Sequence, residues 1–329
     1  MNNTKFQIIE IKTGNKKIIL IKKLPNNDLL IINNLGEIII YDNILFTQKS
    51  IINDYKNKTI NSFIISKQEK KFIFSFNNNI SIINYFQNEN KIISKEEILK
   101  AHDNNILEII ELSNLNLCSS GGNLIKIWKK VSNNKYQNLI ILDSNCEYIT
   151  SLIEINDKEI FSGLGLNSKI IFWNVDFWNF QTINKINLFL TNNCACLLNK
   201  NIFCVCCKDF YSFILINLEN KEIIKKIFFN VPQTKILKNF DNYHLINKLS
   251  NEYIICGCYT TDDLKSCSNR TMIKVFKFNN EKLEFKLIDE IYYPHKRVIK
   301  DIIEFKNQKF ITFSYQNDLK IWDLFNKNN

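Results

Sequence analysis

The 329-residue chain is poor in the residues from which most catalytic sites are built. It contains three histidines, His102, His244 and His295, and no GxSxG, GxxxxGK[ST], HExxH or GxGxxG motif. Nucleophilic catalysis, phosphate binding by a glycine-rich loop and zinc-dependent hydrolysis each need such groups in a fixed pattern. We therefore predict that the protein is not an enzyme and that it binds no cofactor.

Glycine is also scarce, with 7 residues, and Met occurs only 2 times, whereas Phe and Tyr number 25 and 12. Aromatic and β-branched residues favour strands over helices, so the composition indicates an all-β fold. Asparagine pairs such as Asn26–Asn27 and Asn104–Asn105 fall at the breaks between apolar runs. Asparagine tolerates positive φ well, and we expect it to replace glycine in the turns.

Arginine is nearly absent: only Arg270 and Arg297 occur, and lysine supplies the rest of the net charge of +10. A basic surplus attracts nucleic acid or anionic lipid. However, lysine spread along strands is typical of a solvated surface, and it also protects exposed sheet edges. An RNA- or ribonucleoprotein-associated protein is therefore the alternative interpretation, and nucleic acid is a possible but not an indicated partner.

No apolar run approaches the roughly 18 residues that a membrane-spanning helix needs, so no membrane span is predicted. The first residues, "MNNTKFQIIEIKTG", place charges where a signal peptide has its apolar core. We expect an intracellular protein, cytoplasmic or nuclear, whose 10 cysteines are reduced thiols.

One local pattern recurs along the chain. "LCSSGGNLIKIWKK" covers residues 117–130 and "FITFSYQNDLKIWDL" covers 310–324, and units of this form end near residues 42, 84, 129, 174, 217, 277 and 323. Each unit holds four short strand-like runs separated by turns. This pattern predicts one seven-bladed β-propeller over residues 1–329, with four-stranded antiparallel blades. The last unit lacks a fourth strand, and we expect the N-terminal strand, residues 5–12, to complete it.

Two stretches carry a resemblance to a known family. His102 followed by Trp128, and His295 followed by Trp322 and Asp323, resemble the Gly-His … Trp-Asp frame of WD-repeat (WD40) β-propellers. Trp173 marks the same frame in the fourth unit. The resemblance implies a non-catalytic scaffold or adaptor that binds other proteins, as a subunit of a multi-protein complex.

The resemblance also implies a hydrogen-bonded chain of a His, a Ser or Thr, a turn Asp and a Trp, with a structural role. We expect His102 and Trp128 to join through Ser119 or Ser120. We expect His295 and Trp322 to join through Ser314. The turn Asp is absent from its expected place in both units, where Asn123 and Gln316 or Asn317 stand instead. Both networks are therefore predicted to be partial.

Four cysteines cluster in "CACLLNKNIFCVCC". A hairpin about residue 200 would place Cys194 opposite Cys206 and Cys196 opposite Cys204, all on one face, and such partners have Cβ atoms about 4.5–5.5 Å apart. That distance allows a metal or a disulfide. The spacing lacks the two-residue knuckles of ordinary zinc sites, so we interpret these thiols as apolar packing and keep a metal site as the alternative.

The step from 217 to 277 is 60 residues, longer than every other step. Residues 228–244 and 257–271 absorb the excess. In the family, loops between second and third strands share a face with the loops between blades, and this face commonly binds peptides. We predict a partner-binding rim there; it comprises Tyr259, Asp262, Asp263, Arg270, Lys296 and Arg297. A surface insertion without function is the alternative.

Overall fold

The computed structural model describes residues 7–12, 16–66, 71–86, 91–98, 100–132, 135–145, 148–164, 169–177, 179–183, 194–207, 212–228, 241–260, 270–292, 294–295, 297–305, 309–314 and 318–324. These residues form β-strands, and none of them lies in a helix. The strands pair into seven four-stranded antiparallel sheets. The fold is therefore a seven-bladed β-propeller, as the sequence predicted.

The chain divides into two compact units, residues 19–186 and residues 1–18 with 187–329. We call them the four-blade unit and the three-blade unit. The prediction of one domain over residues 1–329 stays a prediction.

The strands follow the chain in order. After β1 (Gln7–Lys12), blade one comprises β2 (Ile18–Lys23), β3 (Leu29–Asn33), β4 (Ile38–Tyr41) and β5 (Gln48–Ile52). Blade two comprises β6 (Ile60–Ile65), β7 (Lys71–Phe76), β8 (Asn79–Phe86) and β9 (Lys91–Ile98). Blade three comprises β10 (Ile106–Glu111), β11 (Leu117–Gly121), β12 (Leu124–Ser132) and β13 (Lys135–Asp143). Blade four comprises β14 (Ile149–Asn156), β15 (Glu159–Leu164), β16 (Ile170–Asn174) and β17 (Phe180–Ile183).

The three-blade unit continues this series. Blade five comprises β18 (Ala195–Asn199), β19 (Ile202–Cys207), β20 (Ser212–Asn217) and β21 (Ile223–Phe228). Blade six comprises β22 (Asp241–Lys248), β23 (Tyr253–Thr260), β24 (Arg270–Asn279) and β25 (Glu284–Tyr292). Blade seven comprises β26 (Ile299–Glu304), β27 (Lys309–Ser314), β28 (Asp318–Asp323) and β1, which pairs antiparallel with β28.

Burial explains the residue pattern of the strands. The second strands β3 and β7 are buried along their whole length, and their sequences LLIIN and KFIFSF are nearly continuous apolar runs. Such runs are typical of strands covered on both faces. The outermost strand β13 is mostly exposed and carries Lys, Gln and Asn among its apolar residues. Within the four-blade unit the core lies between neighbouring blades, where Ile73 and Ile82 of blade two pack with Ile109 and Trp128 of blade three.

The same irregularity recurs in several blades. Between third and fourth strands, the register shifts at Ile127/Trp128 in blade three and at Leu215/Ile216 in blade five. Bulges of this kind increase local twist. In blade seven the shift falls in β1, opposite Ile321 and Trp322. Because Trp322 holds the position of Trp128 in the repeat, β1 occupies the place of a fourth strand.

Neighbouring blades within each unit share a repeated hydrogen bond. A glutamate near the end of a first strand accepts a bond from a serine just after the first strand of the preceding blade. Ser66 Oγ donates to Glu111 at 2.7 Å, and the Ser113 amide donates to Glu154 at 2.5 Å. The spacing of these pairs, 45 and 41 residues, follows the sequence period.

Asparagine occupies several of the strained turn positions. Ten non-glycine residues among those described have positive φ, and four are asparagines: Asn27, Asn57, Asn77 and Asn145. The substitution of asparagine for glycine thus explains part of the turn chemistry. The others include Phe46 and Lys221, which hold equivalent positions in two blades.

Candidate functional site

Blade seven contains a continuous chain of polar side chains. Trp322 Nε1 donates to Thr312 Oγ1 at 2.7 Å, and His295 Nε2 lies 2.6 Å from the same oxygen. His295 Nδ1 lies 2.6 Å from Asp318 Oδ2, and the Ser314 hydroxyl contacts the other carboxylate oxygen. The chain ties the segment before blade seven to its second and third strands.

Two members of this chain differ from the expectation. Thr312, not Ser314, joins His295 to Trp322. Both side chains lie on one face of β27, because side chains two apart share a face, but Ser314 is nearer the turn and reaches Asp318. Asp318 is the acid that the sequence analysis took as absent. It lies four residues before Trp322. The expected positions, residues 316 and 317, lie outside the described residues.

The acid determines how the ring of His295 is oriented. Burial alone would raise the pKa of Asp318, but hydrogen bonds from His295 and Ser314 and the charge of His295 outweigh it and lower that pKa. The ionised carboxylate accepts a hydrogen bond from Nδ1–H of His295. In the neutral ring, Nε2 is then the acceptor for the Thr312 hydroxyl, and Thr312 accepts from the indole.

Blade three has a shorter version of this chain. His102 Nε2 lies 2.8 Å from Ser119 Oγ, and Trp128 Nε1 donates to the same oxygen at 2.8 Å. Ser120 instead donates to the Ile149 carbonyl at 3.5 Å, so Ser119 is the member that bridges.

The blade-three chain ends without an acid. Leu124 lies four residues before Trp128, where blade seven has Asp318. His102 Nδ1 is buried without a hydrogen-bond partner among the described residues. Burial, with help from the charge of Lys126, lowers the pKa of His102 to about 4. The ring is therefore neutral at physiological pH.

The hydrogen-bonded chain is shorter in blade four and is replaced in blade two. In blade four, Trp173 Nε1 donates to Ser162 Oγ at 2.8 Å. In blade two, aromatic packing replaces it: the ring of Tyr55 meets Phe74 edge-on at 4.4 Å, and its hydroxyl lies 2.5 Å from Ser81 Oγ. Sequence analysis missed this variant because neither a histidine nor a tryptophan marks it.

The cysteine hairpin lies in blade five. Cys196 pairs with Cys204, and the Cys206 amide donates to the Cys194 carbonyl at 2.8 Å. The four thiols are reduced, and all but that of Cys196 are buried. Cys196 is half-buried, and the loss of water around its thiol raises its pKa to about 12.

Cys256 of blade six adds a thiol that sequence analysis did not include. Burial, followed by its neighbours Cys206 and Cys196, raises its pKa well above the usual range. Protonated thiols are poor metal ligands and poor nucleophiles. In the described part of the chain, no three His, Cys, Asp or Glu side chains have the arrangement of a metal site.

The base of the blade-six insertion is ordered by backbone pairing. Tyr259 pairs with Thr271, and Thr260 pairs with Arg270. The fully buried hydroxyl of Thr271 donates to the His295 carbonyl at 2.5 Å and accepts from the His295 amide at 3.3 Å. The insertion is therefore bonded to the segment that enters blade seven.

The predicted rim is described only in part. Asp262, Asp263 and Lys296 lie outside the described residues, as do the side chains of Tyr259 and Arg270. Arg297 is described, and its side chain is exposed. No helix long and apolar enough to cross a membrane occurs in the described ranges.

The seven four-stranded sheets form a β-propeller, blades three and seven each contain a His–Ser/Thr–Trp chain, and solved structures of WD40 repeats share this fold. The crystal structure of RRP9 WD40 repeats is 12% identical, with 96% of this chain and 97% of that chain covered and a TM-score of 0.74. The WD40 β-propeller domain of Doa1 is 13% identical, with 98% of each chain covered and a TM-score of 0.71. A chain in the crystal structure of the Mitotic Checkpoint Complex is 10% identical, with coverages of 98% and 93% and a TM-score of 0.74.

Sequence comparison adds no closer relationship. No protein-family model matches the chain, and no curated protein matches it. At 10–13% identity these likenesses establish the fold alone.

Proposed function

We propose that the protein is a non-catalytic scaffold that binds protein partners through the rim formed by the blade-six insertion and the entry to blade seven. One observation carries this proposal: the insertion has a fixed base. The hydrogen bonds between Thr271 and His295 join that base to the polar chain of blade seven. A loop that carries specificity is most effective on such a rigid support.

The hydrogen-bonded ladder of blade six also extends further than that of blade two. In blade two the corresponding pairs end at Ile60–Phe76 and Phe76–Asn79, followed by a two-residue turn. In blade six the equivalent position is Cys258, and two further rows of pairs follow it, ending at Thr260. Ordering the residues of these additional rows costs conformational entropy. We therefore interpret the extension as part of the folded blade and not as a flexible surface loop.

The charges of the predicted rim favour a protein partner over nucleic acid. Asp262 and Asp263 stand in the same insertion as Arg270, and Arg297 follows it. Rims of mixed sign suit protein surfaces, whereas nucleic-acid surfaces neutralise phosphates with basic residues. The same fold in a chain of the Mitotic Checkpoint Complex supports a role within a multi-protein assembly. The proposal includes an intracellular location, in the cytoplasm or the nucleus.

The test removes the insertion and keeps its base. Replacing residues 261–269 by Asn-Gly joins the paired Thr260 and Arg270 by a two-residue hairpin turn. We expect at least a tenfold loss of partner binding and an unchanged melting temperature. Arg297→Glu should weaken binding as well, whereas Lys135→Glu, an equal charge reversal on exposed β13, should not. Undiminished binding by the shortened chain would remove the insertion from the site.

A further inference from the structure

Four blades share one six-residue turn between the third and fourth strands. Its first amide bonds the carbonyl of the sixth residue: Asp42 to Thr47 at 2.9 Å, Asn174 to Asn179 at 2.8 Å and Asn217 to Glu222 at 2.9 Å. The side-chain oxygen of the first residue also accepts amides of the turn. Asp42 Oδ1 accepts from Ile44 and Leu45 at 2.7 and 2.8 Å. Asn217 accepts one such amide in blade five, and Asn279 accepts two in blade six.

This turn fixes only its first residue, because an Asp or Asn is needed there to bond the amides that follow. The turn does not restrict which residue types occupy its tip, so we expect those types to depend on exposure to solvent. In blade five the second residue, Leu218, is buried, and the tip residues are Glu219 and Asn220. In blade six the second residue is the exposed Asn280, and the tip residues are Glu281 and Lys282. A polar tip is the pattern that burial predicts.

Blade one inverts this pattern. Its second residue is the polar Asn43, and its tip residues are Ile44 and Leu45, which are 73% and 75% exposed. We call residues 42–47 the blade-one tip. Blade four has an intermediate form, with Val175 buried and Phe177 exposed beside Asp176. Since the same turn forms with charged tips elsewhere in the molecule, its backbone does not require the two aliphatic side chains of blade one.

The blade-one tip is held by a buried acid. The Asn43 amide and its side-chain Nδ2 each donate to Asp28 Oδ1 at 3.1 Å. Lys49 Nζ bridges Asp28 and Asp42 at 2.9 and 3.0 Å. The amides of Leu45 and Ile44, followed by Lys49, lower the pKa of Asp42 to about 2. The tip is therefore preorganised, and binding through it costs little conformational entropy.

We propose that the blade-one tip is a second protein-docking point, where Ile44 and Leu45 insert into an apolar pocket with a basic rim on a partner protein. Ile44 and Leu45 are exposed side by side on a rigid turn, so an apolar pocket on a partner can remove both from water together. The charges favour this occupant: Asp28 and Asp42 both pair with Lys49, so this trio carries one net negative charge. A basic protein rim is complementary to that charge, whereas an anionic lipid headgroup is not.

This surface goes beyond the rim proposed above. The blade-one tip belongs to the four-blade unit and the insertion to the three-blade unit, and the two surfaces share no residue. Shortening the insertion should therefore leave tip binding intact. Loss of one activity without the other distinguishes the failure of this proposal from the failure of the first.

The probe is a photo-crosslinking residue, p-benzoylphenylalanine, placed at position 45 in the full-length chain in the cells that produce it. The matched probe occupies position 220, which is the same position of the turn in blade five. We expect a discrete crosslinked protein from position 45 and none from position 220. That protein, once purified, should bind the Ile44→Glu/Leu45→Asn variant at least tenfold more weakly than the unmodified chain.

The variant carries the tip sequence of blade five on blade one, so the turn should fold normally, and an unchanged melting temperature checks this. Glu219→Gln/Asn220→Ser in blade five is the control and should bind the partner normally. The proposal is overturned if position 45 yields no crosslink, if position 220 yields the same one, or if the variant binds the partner undiminished. It is also overturned if phosphatidylserine vesicles retain the unmodified chain and lose the variant, because the tip would then contact lipid.

Discussion

Blades three and seven have His and Trp at the same positions of the repeat, but the hydrogen-bonded chains that contain these residues differ. In blade seven every polar member of the chain has a partner, from Trp322 through Thr312 and His295 to Asp318. In blade three the chain stops at His102, whose Nδ1 is buried without a partner among the described residues. One residue accounts for the difference, since Leu124 stands where Asp318 would. A repeat can therefore lose its acid and keep its blade, provided that the histidine stays neutral.

The two blades also differ in how they respond to protons. The pKa of His102 is lowered because burial, and then Lys126, oppose its charge. In blade seven a carboxylate faces the histidine, and the pKa of Asp318 is lowered by that contact. Acid therefore acts on blade three by charging a buried ring whose Nδ1 bonds no carboxylate among the described residues. In blade seven the Asp318 carboxylate is already bonded to the ring and serves as its counter-ion.

The largest expected effect comes from removing the central hydroxyl. Thr312→Val preserves shape but leaves the indole N–H of Trp322 and Nε2 of His295 unsatisfied in the core. Each unsatisfied buried group costs about 1–3 kcal/mol, so we expect a loss of about 3 kcal/mol in the free energy of unfolding. Urea denaturation monitored by tryptophan fluorescence measures it.

The control for this change is Thr312→Ser, which keeps the hydroxyl and should cost about 1 kcal/mol for the lost methyl group. Ser119→Ala in blade three should cost less than Thr312→Val, about 2 kcal/mol, because the chain it breaks is already incomplete. If Ser119→Ala proved the more damaging of the two, the ranking of the blades by completeness would be wrong.

A smaller effect separates the blades by pH. His102 has a folded pKa of about 4 against an ordinary value of 6.5. Between these values the unfolded chain binds more protons, so stability falls as pH falls. From about pH 7 to pH 5 the loss is about 2 kcal/mol. His102→Gln removes this titration, so its stability deficit relative to the unmodified chain should shrink over that range.

Asp318 does not interfere in this window. Its folded pKa lies below 3.8, so the stability that it contributes is lost only as pH falls through the more acidic range. The comparison of unmodified and His102→Gln chains at the two pH values therefore reports on blade three. A stability difference that stays constant between them would mean that His102 is not held neutral by burial.

Much of the fold could be predicted because the repeat is regular. Trp128, Trp173 and Trp322 fixed the period, and apolar runs between asparagine-rich turns marked the strands. The link between His102, Ser119 and Trp128 was implied by the resemblance to WD-repeat propellers, apart from the choice between neighbouring serines. In blade seven, Thr312 and Ser314 share a face, and only the path of the turn decides which of them meets the histidine. Asp318 was missed because its contact with His295 likewise depends on three-dimensional structure and not on spacing.

Features set by three-dimensional context could not be predicted. The aromatic cluster around Tyr55 replaces the polar chain in blade two without any residue type in common. The apolar tip at Ile44 and Leu45 resembles any other aliphatic pair in the sequence until its exposure and its contact with Asp28 are known. Cys256 joins the thiols of blade five from another blade, which spacing within one hairpin cannot reveal.

The central claim is that the protein presents a rigid rim to other proteins and not to RNA. The most direct measurement is purification of the tagged chain from its own cells after nuclease treatment, in salt on the order of 0.5 M, where phosphate contacts are weakened. We predict that at least one protein stays bound in a fixed ratio and is lost when residues 261–269 are replaced by Asn-Gly. The claim would be contradicted if RNA were the only molecule that co-purified before nuclease treatment and the chain were recovered alone after it.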